Sequence, residues 1–170
     1  MQTIKVLIVG IVVILFIQPT TIDKIRLSPE QRANLIKVNK ATLSAARIYA
    51  RHSCGIRLAR QTAVDAIYYK VDVRLVAAVV IAESSCNPRA KSPTGAIGLM
   101  QIMPKTWHAT EQQLYDPNFN LKKGSMILAY LIHMYGIDQG IAMYLGSSDE
   151  DETEAYVDRV KQIAGYRSER

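Results

Sequence analysis

Seven consecutive apolar residues, Val76 to Ala82, run without interruption into a single carboxyl group, Glu83. Asp72 stands where a helix N-cap belongs, so the pattern predicts a helix from Val73 to about Ser85. Its apolar residues cover every side, which places such a helix at the centre of a domain rather than on its surface. A carboxyl at its end is partly withdrawn from water, which raises its pKa and suits it to donate a proton near neutrality. A helix end reaching bulk water would instead leave Glu83 an ordinary surface acid. Spacing alone leaves both readings open.

The same signals predict further helices. Ser28-Pro29-Glu30-Gln31 combines a cap, a proline suited to the first helical position and a capping-box glutamine, starting a helix that can run to about His52. Ile56 to Tyr69 reads as another. Asn120 is placed to cap Leu121–Tyr135, with Gly136 as terminator and Leu128, Leu131, Ile132 and Tyr135 on the core face. Six acids between Asp149 and Asp158 lack the turn glycine of a calcium loop. They read as solvated, with Glu152 and Glu154 in the first turn of a last helix, where acids favour the dipole. His52, His108 and His133 have no partners at metal-ligating spacing and read as surface or core, so no metal and no cofactor is expected. Trp107, the only tryptophan, reads as core packing, with stacking on a sugar as the alternative.

After Glu83, Asn87-Pro88 ends the central helix. The stretch from Ser92 to Pro104 is then rich in Gly and Pro, and its apolar residues have no helical period. Gly95 and Gly98 flank Ala96-Ile97 and mark backbone that a ligand can approach closely. Gln101 is a neutral group suited to hydroxyl and amide partners such as those of an amino sugar.

Glu83-Ser84-Ser85-Cys86-Asn87-Pro88, followed by Ser92-Pro93-Thr94-Gly95-Ala96-Ile97-Gly98-Leu99-Met100-Gln101-Ile102-Met103-Pro104-Lys105-Thr106, resembles the signature of the soluble lytic transglycosylase family, relatives of goose-type lysozyme. The resemblance extends over about residues 60 to 165, through Asp116 to Gly124, Met143-Tyr144 and Tyr156-Val157. It implies a mainly α, lysozyme-like catalytic domain that cleaves the MurNAc–GlcNAc β-1,4 bond of peptidoglycan. Glu83 matches the family's catalytic acid/base. Ser92, Gly98, Leu99, Met100 and Gln101 match residues lining its glycan cleft. Tyr144 matches a tyrosine that orients the carboxyl or the sugar, but Leu145 stands where the family usually has Asn. Ordinary glycoside hydrolysis uses two carboxylates, and no second acid occurs from Arg89 to Thr110. The family is understood to work with one, the sugar's own 6-hydroxyl closing on the anomeric carbon to leave a 1,6-anhydromuramyl end. A lysozyme-type hydrolase using Asp116 or the Asp149–Asp158 cluster, and a non-catalytic wall-binding module, are the alternatives.

The N-terminus bears on compartment. Val6 to Ile17 are twelve apolar residues behind Lys5, short for a span of about 17–25 residues. Yet Lys5 is the only charge before Asp23, and no small-residue cleavage site follows Ile17. Residues 1–22 therefore read as a signal anchor, with a cleaved signal peptide or a buried core helix as alternatives. The first two place the chain in the periplasm or on the periplasmic face of the inner membrane, or in a virion if phage-encoded. In that compartment Cys54 and Cys86 are a disulfide candidate, two buried thiols being the alternative. A bridge would close a loop of about 30 residues.

The formal charge of +6 is concentrated in one place. From Lys24 to Arg60 there are nine Lys or Arg against Glu30 alone, a net +8, while 61–170 carry −2. Lys37, Lys40, Ser44, Arg47 and Arg51 share one face of the first helix, with a weaker apolar stripe from Leu35, Val38, Thr42, Ala45 and Tyr49. Beside an anchor, such an arm can lie against anionic headgroups, or it can be a solvated face whose other side packs on the domain. One aromatic and an exported location argue against nucleic acid. The expected organisation is an anchor or signal (1–22), a basic helical arm (23–55) and a catalytic domain (56–166), in the service of a secretion, conjugation or phage machine.

Overall fold

The computed structural model describes residues 27–52 and 54–166, so the expectation for residues 1–22 lies outside it. Seven helices occupy the described residues: α1 (Pro29–Ala50), α2 (Ile56–Tyr69), α3 (Val73–Ser84), α4 (Glu111–Tyr115), α5 (Pro117–Tyr135), α6 (Ile137–Leu145) and α7 (Glu150–Ala164). None of these is long and apolar enough to cross a membrane. Among the described residues there is no β-strand, only the isolated bridges Lys91–Ile97 and Ile97–Ile102.

Two units meet at Leu35–Ile36, inside α1. In the first, the helix opens with the expected capping box: the Gln31 N–H donates to Ser28 Oγ (3.1 Å), and the Ser28 N–H to Gln31 Oε1 (2.8 Å). In the second, Ala45, Ile48 and Tyr49 are buried, and the Tyr49 hydroxyl lies 2.8 Å from that of Thr62 on α2. The latter part of the arm thus contributes to the core of the larger unit. Lys37, Lys40, Arg47 and Arg51 remain exposed.

Leu75 to Ile81 of α3 are all buried, at 2% exposure or less. A helix with no polar face has no stable surface position, and α2 and α7 pack against it. At its N-terminus Asp72 accepts from the Arg74 N–H (2.8 Å). At its other end Ser85 and Cys86 both adopt positive φ, 50° and 67°, turning the chain sharply away directly after Glu83 and Ser84. Cys86 is bonded to Cys54, with Cα atoms 5.9 Å apart, which ties this turn to the segment between α1 and α2.

Two expectations are corrected. The Leu121–Tyr135 helix begins at Pro117, capped by Asp116, whose carboxylate accepts from the Phe119 N–H (2.7 Å). Asp116-Pro117 is itself a cap followed by a proline at the first position, a stronger start than Asn120. Asn120 is inside the helix and fully buried. Tyr135 does not join Leu128 and Leu131 in the core but is 48% exposed, because the helix ends there. α4 and α6 are short and were not foreseen as helices. The last helix is capped by Asp149, with Glu150, Asp151 and Glu152 in its first turn.

Candidate active site

Glu83 lies in the last turn of α3, half-buried. Its carboxylate accepts a hydrogen bond from the hydroxyl of Tyr156, a buried residue of α7. Burial raises the Glu83 pKa above the usual carboxylate range, while the Tyr156 hydrogen bond and the charge of Arg159 pull it back. Burial is the largest effect, so the proton is held more tightly than on a surface glutamate. The same surroundings raise Tyr156 and Tyr144, by burial first and then through the nearby Glu83 charge, so both phenols stay protonated donors.

The segment from Asn87 to Pro104 has no regular structure of its own, so its polar backbone must be satisfied by turns and side chains. Ile97 and Ile102 exchange both backbone bonds (3.1 and 3.0 Å), closing a tight loop that contains Gly98-Leu99-Met100-Gln101. Two side chains fasten the loop to the helices. The Ser84 hydroxyl, next to Glu83, donates to the carbonyl of Leu99 (2.8 Å). The Tyr144 hydroxyl, from α6, donates to the carbonyl of Met100 (2.8 Å).

Asn120 holds the loop from beneath. Its amide donates to the carbonyls of Ile97 (2.7 Å) and Leu114 (2.9 Å), and its oxygen accepts from the Met100 N–H (2.8 Å). Gly98, at φ +81°, passes so close that a Cβ there would overlap the Asn120 amide and stand 2.6 Å from the Leu114 carbonyl oxygen. The requirement for glycine here comes from both conformation and space.

The structure accordingly distributes the expected cleft residues unevenly. Glu83, Tyr144 and the 97–102 loop come together. The Leu99 and Met100 side chains, however, are 2% and 0% exposed and belong to the core, Met100 packing over Gly124. Their physical role is to anchor the loop, since both carbonyls are taken by Ser84 and Tyr144. Gln101, at φ +45°, donates its amide to the carbonyls of Gly98 (2.9 Å) and Ala90 (3.3 Å). Its side-chain oxygen accepts no hydrogen bond among the described residues, which leaves an acceptor, not a two-way amide. Ser92 accepts from the Ala96 N–H (2.9 Å) and pairs with Thr94 (2.8 Å), bracing its own turn. Trp107 and Leu145 pack against the core.

Sequence reasoning did not single out Tyr156, Ser84, Asn120 or Arg159 as site residues. Tyr156 is 73 residues from Glu83 and no spacing rule links the two.

Residues 63–157 match the family described as Transglycosylase SLT domain, more than half of the chain and all of the site just described except Arg159. The chain belongs to this family. The SLT domain is 40% identical over 84 residues to a transglycosylase of Enterobacteria phage PRD1, covering 48% of this chain and 32% of the relative. It is 41% identical over 75 residues to a membrane-bound lytic murein transglycosylase E of Buchnera aphidicola, covering 37% and 34%. The chain therefore spans about a third of the length of these relatives. In fold it is similar to the crystal structure of the 70 kDa soluble lytic transglycosylase of Escherichia coli, with a TM-score of 0.54 at 22% identity, over 72% of this chain and 29% of that one. The mainly helical, lysozyme-like architecture expected of the SLT domain is thus present.

Proposed function

We propose that this chain is a peptidoglycan lytic transglycosylase in which Glu83 is the only acid/base. The observation that carries the reading is the setting of Glu83: a carboxyl at the end of a helix buried from Leu75 to Ile81, raised by burial and held by the Tyr156 hydroxyl. Protonated, Glu83 donates to the oxygen between MurNAc and GlcNAc as that bond breaks. The resulting carboxylate then removes the proton from the MurNAc 6-hydroxyl as its oxygen bonds to the anomeric carbon. The glycan is cleaved, a 1,6-anhydro end forms, and Glu83 regains its proton with no water consumed. The Tyr156 hydroxyl stabilises the carboxylate midway, when charge is present. Of the carboxylates that the hydrolytic alternative could use, Asp116 caps α5, Asp149 caps α7, and Glu152 accepts from Ser147.

Gln101, Ser92 and the loop edge would receive the glycan, with residues 56–166 as the catalytic domain and 1–22 as attachment to the periplasmic face of the inner membrane. The membrane-bound and phage relatives support an envelope setting, in which the chain would open the wall locally for a phage, secretion or conjugation machine. Digestion of purified peptidoglycan by the full chain, with mass spectrometry of the released muropeptides, tests the chemistry. Anhydro ends are expected. Reducing ends would make it a hydrolase, and absence of release a binding module.

A further inference from the structure

A cleft of about 170 Å³ opens between α1, the start of α3 and the end of α7. Its polar side chains are the Ser44 hydroxyl and three guanidinium groups, Arg47, Arg51 and Arg74, over a floor that includes Ile48 and Ile163. Among the described residues no carboxylate lines it. Arg47 lies in the last turn of α1 and Arg51 directly after its end, and neither forms an ion pair among the described residues. Arg74 is held in place. Its Nη2 lies 2.7 Å from Asp72, its Nε donates to the same carboxylate, and its guanidinium stacks 4.7 Å from the centre of the Tyr166 ring. The Tyr166 hydroxyl donates to Asp72 as well (2.8 Å), so one of the three charges is balanced and two are not. At the end of α7 the N–H groups of Gly165 and Tyr166 donate to the carbonyls of Gln162 and Lys161.

Guanidinium forks match phosphate oxygens bidentately; those of Arg47 and Arg51 form no ion pair among the described residues, while the Nε and Nη2 of Arg74 are taken by Asp72. The cleft is larger than a phosphate group alone, and residues 36–60 carry six Lys or Arg and no acid, a local excess that favours anions. We propose that this cleft binds the phosphate group of an organic phosphate ester, with Arg47 and Arg51 as its principal ligands and Arg74 and Ser44 completing the site. A phospholipid headgroup and a free or polymer-borne glycerol phosphate both present that group. The inference is independent of the glycan chemistry, because Arg74 and Glu83 are about 14 Å apart along α3 at 1.5 Å per residue.

The test is calorimetric titration of the full chain in a nonionic detergent. The probes are inorganic phosphate, glycerol 3-phosphate, and dihexanoyl phosphatidylglycerol kept below its micellar concentration. Saturable binding of at least one ester is expected. The Arg47→Gln/Arg51→Gln pair should weaken it at least tenfold. The Lys37→Gln/Lys40→Gln pair removes the same charge from the same helix face outside the cleft and should weaken it less than threefold. Thermal melting of both variants checks that they fold. Preference for the lipid assigns a headgroup, and equal binding of both esters assigns the phosphate group itself. No saturable binding, or equal weakening by the two double variants, overturns the proposal.

Discussion

The hydroxyl of Tyr156 on α7 donates to the carboxylate of Glu83 at the end of α3, joining residues 73 positions apart. This bond lowers a pKa that burial has raised. Removing it with Tyr156→Phe should raise the Glu83 pKa further. Acid catalysis needs the protonated form, so the fall in kcat/KM at high pH should move to higher pH in the variant. The rate itself should drop about tenfold, the order expected for one hydrogen bond to a charged group. Arg159→Gln should move the same limb in the same direction by less, its charge being the weaker of the two lowering influences. A pH–rate profile of muropeptide release measures both.

Glu83→Gln should abolish detectable release of anhydromuropeptides, a loss of at least 10²- to 10⁴-fold. It should also change stability in a pH-dependent way. The folded pKa of Glu83 lies above its unfolded value, so native protein binds the proton more tightly. Wild-type stability is therefore reduced as pH rises through the window between the two values. Urea titrations should find the variant more stable than wild type above that window and equal to it below.

Asn120→Ala should destabilise the protein by roughly 3 kcal/mol or more. The change strands the Leu114 carbonyl and the Met100 N–H in a buried position and leaves the Ile97 carbonyl with the Ile102 N–H alone, and each unsatisfied group costs about 1–3 kcal/mol. Gly98→Ala should be similarly severe, because the new methyl meets the Asn120 amide at a positive φ. Chemical denaturation, read as a shift in midpoint at constant slope, checks both.

Reduction of Cys54–Cys86, or Cys54→Ser/Cys86→Ser, should cost roughly 3–4 kcal/mol for a loop of this length. The bridge holds the left-handed turn at Ser85-Cys86, immediately beyond Glu83, so activity should fall before the protein unfolds. Parallel assays of muropeptide release and near-ultraviolet circular dichroism against dithiothreitol concentration would separate the two losses.

Much of this was legible in the chain itself. An uninterrupted apolar run can only be a buried segment, and Asp72 before it and Asn87-Pro88 after it set its limits, so α3 and the position of Glu83 follow from local chemistry. Ser28-Pro29-Glu30-Gln31 and the boundaries of α2 are legible for the same reason. Asn120 shows where this stops: an Asn before an apolar stretch has the local signature of a cap, and nothing nearby reveals that its amide is needed by three backbone groups from two distant segments. Leu99 and Met100 are similar, since an aperiodic apolar loop does not disclose whether its side chains face a ligand or the core.

What the sequence by itself determined, then, is the central helix, the carboxyl at its end and the aperiodic loop that follows, because caps, breakers and apolar periodicity act over a few residues. Only the tertiary structure decided which groups surround that carboxyl. Tyr156, Tyr144 and Arg159 reach Glu83 through α7, packed against α3, and α6, packed against α5 and α7, by burial that no local pattern encodes. The Arg47, Arg51 and Arg74 cleft arises in the same way, from α1, α3 and α7 meeting at one place. Burial is non-directional and long-range in sequence, so the partners that tune a site are set by packing, whereas the site's own residue is set by its neighbours.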